Sequence, residues 1–151
     1  MERCSEGAMP KLGFLIVCEK AILEEGTRTP TLVALFTGLR LTVPSLPPGN
    51  AAIPKDWAVI CGWDSTNDET GRQYVQHTEV LWPDGTQFVR GEMQLMFEPG
   101  KRHYSVVRFL PFPVGQAGKC EIRVWLEFEG SPVTDKSSTH VTVEHEIKAM
   151  S

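Results

Sequence analysis

The stretch that decides the fold is KCEIRVWLEFE, residues Lys119–Glu129. Every second residue of it is apolar, and the residues between are charged except for Trp125. Because successive side chains of a strand point to opposite faces, this alternation predicts a strand with one face in a core and one face outward. The inward set is Cys120, Ile122, Val124, Leu126 and Phe128.

Other strand patterns lie before this one. Leu12–Cys18 is apolar in both phases, which indicates a central strand. Trp57–Trp63 places its two tryptophans, Val59 and Cys61 on one face. A further strand is predicted from about Arg72 to Trp82, and Pro83-Asp84-Gly85 after it is a strong signal for a tight turn.

Two apolar runs contain a glycine that marks an irregularity in a strand. The first is broken at Gly38, which indicates a bent strand, and in the second Phe88 has the opposite parity to Met93, which predicts a β-bulge near Gly91. The apolar residues of the first run share one parity and so predict one common face: Val33, Leu35, Leu39, Leu41 and Val43.

Short strands separated by turn signals are typical of an all-β protein. The proline-rich stretch Pro44–Pro54 cannot be a central strand, and it suits a connection that crosses between two sheets. We therefore expect an antiparallel β-sandwich of about eight strands, of the immunoglobulin-like or Greek-key type. A partly closed β-barrel is the alternative.

Length and composition bound the class of protein. The chain has 151 residues and a net charge of −4, which suits one domain and gives no basic surface for nucleic acid. We expect residues 9–151 to form a single domain and residues 1–8 to be a flexible leader. Because the apolar run Leu12–Cys18 is too short for a signal peptide or a membrane span, we expect a soluble, cytoplasmic protein without membrane contacts.

The cysteines show no metal-site spacing. Cys18, Cys61 and Cys120 lie in apolar runs, which predicts buried free thiols. A disulfide between Cys61 and Cys120, close to Trp63, is the alternative that an immunoglobulin-like fold suggests.

No catalytic motif is present, and the candidate nucleophiles Ser105 and Ser131 have no recognisable base near them in the sequence. His145 shares its phase with apolar neighbours, which predicts a half-buried histidine, whereas His140 and Glu144 share a solvated face. We therefore expect a protein that is not an enzyme and needs no cofactor.

The loop Asp64–Gly71 is the best candidate for an ion site. Calcium prefers several hard oxygen ligands, and Asp64, Asp68 and Glu69 would supply carboxylates. The spacing does not match an EF-hand, and a polar hairpin loop explains the same residues.

The outward phase of the strand at Lys119–Glu129 offers a candidate binding surface. Trp125 lies there beside Arg123, and both residue types are enriched at interfaces. Local packing of Trp125 under a loop is the alternative.

Several segments resemble a family of small bacterial all-β proteins whose N-terminal strand carries a Cys-Glu-Lys motif. They are Met9–Leu12, Cys18-Glu19-Lys20, Pro30–Phe36, Pro83-Asp84-Gly85, Phe112-Pro113-Val114 and Gly118–Ile122. The chain departs from the family at Cys120, where the family has an aromatic residue. The resemblance implies a bacterial source and an all-β domain, and since the family has no assigned activity it implies none here.

The predicted function is a non-enzymatic binding module that acts through contacts with another protein or through self-association, with its edge strands as the natural contacts. A carbohydrate- or calcium-dependent module that uses Trp125 or the acidic loop is the second hypothesis. An enzyme of unrecognised type is the third.

Overall fold

The computed structural model describes residues 10–24, 29–65, 72–98 and 100–148, and within them the chain forms strands and no helix. The predicted leader, residues 1–8, lies outside these ranges. The strands are β1 Lys11–Leu23, β2 Pro30–Leu35, β3 Gly38–Val43, β4 Ala52–Ile53, β5 Trp57–Asp64, β6 Gln73–Leu81, β7 Gln87–Met96, β8 His103–Phe109, β9 Phe112–Pro113, β10 Gly118–Phe128, β11 Ser131–Pro132 and β12 Ser137–Ile147.

Two large sheets contain most of these strands. Sheet A has the order β2-β1-β5-β8, and sheet B has the order β3-β12-β10-β6-β7, with β11 paired to β10. Neighbours are antiparallel except for β3 and β12, which are parallel. The predicted all-β sandwich is confirmed, with three two-residue strands in addition to the nine longer ones.

The core lies between sheets A and B. β5 contributes Trp57, Val59, Cys61 and Trp63, as its alternation predicts, and the inward phase of β10 faces them. Burying one such large side chain fully contributes roughly 1.5–3 kcal/mol to the free energy of unfolding. The alternation at Lys119–Glu129 therefore does place one strand face in the core.

The sheets meet where β2 leads into β3. The Phe36 amide donates to the Val17 carbonyl of sheet A (2.9 Å), and the Thr142 amide of sheet B donates to the Thr37 carbonyl (3.0 Å). The prediction of one common apolar face through this run is wrong. Leu35 is 66% exposed, whereas Leu39 packs against the core, because the chain changes sheets between them.

The β-bulge predicted near Gly91 lies elsewhere. The register shifts between Val80 and Leu81, whose partners on β7 are Val89 and Gln87, so Phe88 is the extra residue. The Phe88 ring packs against Trp82 in an edge-to-face contact. The phase change therefore occurs at an aromatic residue beside the Pro83–Gly85 turn, not at the glycine.

The proline-rich connection runs from sheet B to sheet A, as predicted, and it is tied to a second irregular link. β4 pairs with β9, and the amides of Val114 and Gly115 both donate to the Ala51 carbonyl at 2.9 Å. A Cβ on Gly115 would lie 2.6 Å from the Ala51 nitrogen. Only glycine allows this close approach of two backbones.

The outer face of sheet A is covered by its own hairpin. Ala21 of β1 and Leu32 of β2 belong to one apolar cluster with Ala58 and Ile60 of β5, and the Arg108 guanidinium of β8 donates to the Ala21 carbonyl at 3.1 Å. We call residues 21–23 and 30–32 the hairpin cap. It packs over sheet A and leaves Ile60 without solvent contact.

Cys18, Cys61 and Cys120 are free and buried, so the prediction of buried thiols is confirmed and the bridge between Cys61 and Cys120 is not formed. The described segments contain no helix that is long and apolar enough to cross a bilayer.

Candidate functional site

The outer face of sheet B carries the predicted binding residues Arg123 and Trp125. The register places Trp125 beside His77 of β6, and His77 beside Glu92 of β7. One row over, Arg123 lies beside Glu79, whose other neighbour is Arg90. The strand pairing therefore brings together charged residues that are far apart in the sequence.

Trp125 points outward, as predicted, yet it is only 3% exposed. The His77 ring stacks on it with ring centroids 5.1 Å apart. The Arg90 guanidinium and the Lys136 ammonium lie 5.0 Å and 4.3 Å from the indole ring centroid. These contacts are cation–π pairs, and they leave the indole faces no room for a sugar or another stacking ligand in this arrangement.

His77 lies at the centre of this cluster and is also 3% exposed. Its Nδ1 is 2.8 Å from the Arg90 guanidinium and 3.3 Å from a Glu92 oxygen. Arginine only donates hydrogen bonds and a carboxylate only accepts them, so Nδ1 lies between a donor and an acceptor. Nε2 faces Glu127 at 2.8 Å, a contact that is short but poorly aligned for a hydrogen bond. The contact with His77 lowers the pKa of Glu127 below its usual value.

Arg123 is engaged by two carboxylates. Its guanidinium lies 3.1 Å from Glu121 and 3.9 Å from Glu79, and the hydrogen bond from Arg123 lowers the pKa of Glu121. This face is thus a surface of paired charges. Surface ion pairs of this kind contribute about 0–1 kcal/mol each to the free energy of unfolding. They therefore determine the charge pattern of this face more than the stability of the fold.

The predicted calcium ligand Asp64 is paired with an arginine side chain. Asp64 forms two hydrogen bonds with Arg102, at 2.8 Å and 2.9 Å, and this pairing lowers the pKa of the carboxyl group. Asp68 and Glu69 lie outside the described residues. Within the described ranges no three His, Cys, Asp or Glu side chains come close enough to hold a metal ion.

The histidines of β12 lie as predicted. His145 is half-buried, and its Nε2 is 2.6 Å from the Val114 carbonyl. His140 and Glu144 are exposed on the outer face of sheet B, and Glu144 pairs with Arg40 at 3.1 Å.

Ser105 and two cysteines lie inside the sandwich. The Ser105 hydroxyl and the Trp63 Nε1–H both donate to the side-chain oxygen of Gln76, and Gln76 donates to Thr78. Burial raises the pKa of the Cys61 thiol to about 12 and that of Cys120 to about 11. Because a nucleophilic cysteine must reach its thiolate near neutral pH, these groups have a structural role.

The sandwich is open along one side, between β7 and β8. β7 pairs only with β6, and β8 only with β5, among the described strands. The two edges lie close together, since a Cβ on Gly91 of β7 would be 3.5 Å from Val107 of β8. At one end of this opening is a cleft of about 510 Å³, lined by Leu23, Met93, Gln94, Met96, Glu98, Lys101, Arg102, His103, Tyr104 and Val106.

The edge of β7 is incompletely covered. Val89, Gly91 and Met93 lie in its inward phase but are only half-buried, while Met96 is 51% exposed. The sequence predicts contacts at edge strands but does not indicate which strands are edges. The signal available was indirect: β7 has polar or charged residues at most outward positions and a central glycine.

A second cleft, of about 530 Å³, lies at one end of the molecule. Its lining comes from the start of β1, from Trp63 and from the link between β11 and β12, with Lys11 and Asp135 as its charged residues. No buried polar residue of the described segments is among its lining residues, so it offers no chemistry comparable to the opening beside β7.

Comparisons with known proteins extend this description only slightly. No protein-family model matches the chain, and no curated protein matches it. Among solved structures, the chain is similar to an immunoglobulin-like protein from Pseudomonas aeruginosa, with 11% identity and a TM-score of 0.35 over 93% of this chain and 100% of the other. The assignment as a β-sandwich rests on the two sheets described above.

Proposed function

We propose that this protein is a non-catalytic interaction module and that an extended segment of another polypeptide adds as a strand to the free edge of β7. The observation that carries the proposal is the opening between β7 and β8, whose edges are unpaired among the described strands and lie beside a cleft lined by both apolar and charged residues. An unpaired edge presents a row of backbone donors and acceptors, which is a template for another strand.

Two features of β7 support strand binding. Backbone pairing supplies affinity, and pockets for alternate side chains supply specificity. Met93 and Tyr104 line the cleft next to the edge, so apolar side chains of an added strand have a place to be buried. The chemistry therefore fits a polypeptide partner with alternating apolar residues.

Other functional classes receive less support from the same residues. The candidate nucleophile Ser105 is buried and engaged by Gln76, Trp125 is covered, and a net charge of −4 disfavours nucleic acid. Three buried free cysteines support a reducing compartment such as the cytoplasm. We therefore propose that the protein is cytoplasmic, binds a polypeptide partner and uses no cofactor.

A displayed library of random peptides tests this function. Enriched peptides are synthesised with a single backbone N-methyl group at each position in turn. Because alternate amides of an added strand point toward β7, methylation is expected to abolish binding at every second position and to leave the others within a factor of about three. A selection without enriched peptides, or a methylation scan without this period, overturns the proposal.

Two variants of β7 locate the binding edge. Met93→Glu puts a charge beside the cleft and is expected to weaken peptide binding at least tenfold. The matched control, Gln87→Glu, adds the same charge at an exposed position of β7 that does not line the cleft, and it is expected to change binding much less. Melting curves of both variants establish that they are folded, and equal peptide affinity for the two would place binding elsewhere.

A further inference from the structure

We infer that the strand added to β7 is β7 of a second copy of this chain, so that sheet B continues across a two-fold axis at Gly91. The inference rests on the proposed function, because it names the partner of the same edge. It is carried by the sequence of β7, QFVRGEMQLM, which is self-complementary about its glycine.

The charges of β7 select this pairing. In an antiparallel pair centred on Gly91, Arg90 of each copy lies directly opposite Glu92 of the other. Both residues are exposed on the outer face of sheet B, and opposite charges at facing positions stabilise a pair of strands. One two-fold pairing therefore creates two ion pairs between the copies.

Neighbouring registers are unfavourable. Centring the pair on residue 90 would place Arg90 opposite itself, and centring it on residue 92 would place Glu92 opposite itself. Like charges directly opposite are destabilising. Sliding one strand by a single residue, so that Gly91 lies opposite residue 90 or 92 of the other copy, would place the inward phase of one copy opposite the outward phase of the other. Within this stretch, the centre at Gly91 is the one that matches both charge and phase.

The inward phase supports the same register. Val89 of each copy lies opposite Met93 of the other, and both side chains are half-buried in the single chain. An added strand would cover the remaining apolar surface at this edge. Gly91 has no side chain, so two copies can approach closely at the centre of the pair.

Mass in solution and charge reversal test the inference together. The wild-type chain is expected to be a dimer by sedimentation or light scattering, and Arg90→Glu and Glu92→Arg are each expected to raise its dissociation constant at least tenfold. A mixture of the two variants is expected to dimerise, because both facing pairs of positions 90 and 92 would then again carry opposite charges.

A cross-link tests the register independently of charge. Opposed Cα atoms in an antiparallel pair are about 4.5–5.5 Å apart, which is within the range of a disulfide. In a Cys4→Ser background, Gly91→Cys is therefore expected to form a dimer under mild oxidation that dithiothreitol reverses. Gln94→Cys is the control. Because position 94 faces position 88 and not its own copy, this variant is expected to form little covalent dimer on a non-reducing gel.

The outcomes separate this inference from the proposed function. A wild-type monomer at several hundred micromolar overturns the self-pairing, and the peptide scan then decides the function on its own. A dimer whose mass is unchanged by either charge reversal, or equal cross-linking at positions 91 and 94, also overturns the self-pairing. A wild-type chain that neither dimerises nor binds any selected peptide overturns both proposals.

Discussion

The two outer faces of the sandwich differ sharply, although the same alternation of side chains builds both. The outer face of sheet A contains Ala58 and Ile60, which are buried under the hairpin cap. The outer face of sheet B contains Arg123 and Glu121, which form ion pairs at the surface. Strand alternation determines which residues share a face, and a distant chain segment determines whether that face meets water.

The first prediction has the largest expected effect and concerns Ile60. Ile60→Asp would bury a charge without a partner beneath the hairpin cap, and we expect it to lower the free energy of unfolding by at least about 4 kcal/mol. Arg123→Ala, at an outward position of sheet B, is expected to cost less than about 1 kcal/mol. Urea unfolding followed by tryptophan fluorescence measures both, and similar losses would show that the two faces are equally covered.

Trp125 tests whether part of the sheet B face is itself packed. Trp125→Ala removes a buried ring that contacts His77, Arg90 and Lys136, and we expect a loss of about 3 kcal/mol. Trp125→Phe keeps an aromatic ring at this position and is expected to cost clearly less. An alanine variant as stable as the wild type would mean that the indole is available to a ligand.

The hairpin cap makes the outer face of sheet A different from that of sheet B, and a hydrogen bond from Arg108 ties the cap to sheet A. Arg108→Ala removes the hydrogen bond to the Ala21 carbonyl, so we expect a loss of about 1–2 kcal/mol. In a Cys4→Ser background, Cys18 is expected to react faster with a thiol reagent in this variant, while Cys61 and Cys120 stay protected.

The matched control for this cap experiment is Arg40→Ala, which breaks an exposed ion pair with Glu144 on sheet B. It is expected to leave the reactivity of Cys18 unchanged. Equal acceleration of all three cysteines in Arg108→Ala would indicate global unfolding and would contradict a separately opening cap.

The smallest expected effect is the response of the sheet B face to acid. Arg123 lowers the pKa of Glu121 in the folded protein, so this stabilisation is present above the pKa of the unfolded state and is lost as pH falls through the folded value. Because the Glu121 side chain is 37% exposed, the contribution is a few tenths of a kcal/mol after screening by solvent.

Unfolding midpoints of the wild type and Glu121→Gln at pH 7 and pH 3 measure this contribution. We expect the wild type to lose slightly more stability on acidification than the variant does. An identical pH response in the two proteins would show that the ion pair does not stabilise the fold.

Much of the fold is predictable where one strand carries a clean alternation. β10 and β5 show it, and the Pro83–Gly85 turn has its φ-positive residue at Gly85 (φ 90°). The bulge was misplaced because Gly91 is the obvious local irregularity, whereas the extra residue is Phe88. Nothing local marks Phe88, since its position follows from how β6 and β7 align around the turn.

The candidate site was predictable only in part. Trp125 and Arg123 were identified as outward from their own strand, but His77 and Arg90 lie on other strands and reach Trp125 only through sheet pairing. The open edge of β7 could not be recognised from the sequence, because strand order depends on long-range pairing. Its charge pattern around Gly91 became informative only when the strand was known to be an edge.

The sequence by itself determined that this is an all-β protein and which side chains share a strand face, because the pleat of a strand is a property of consecutive residues. The tertiary structure decided that Ile60 is covered, that Trp125 is enclosed and that β7 has no second partner among the described strands. These features depend on the approach of segments distant in the chain, and short-range steric preferences do not specify that approach.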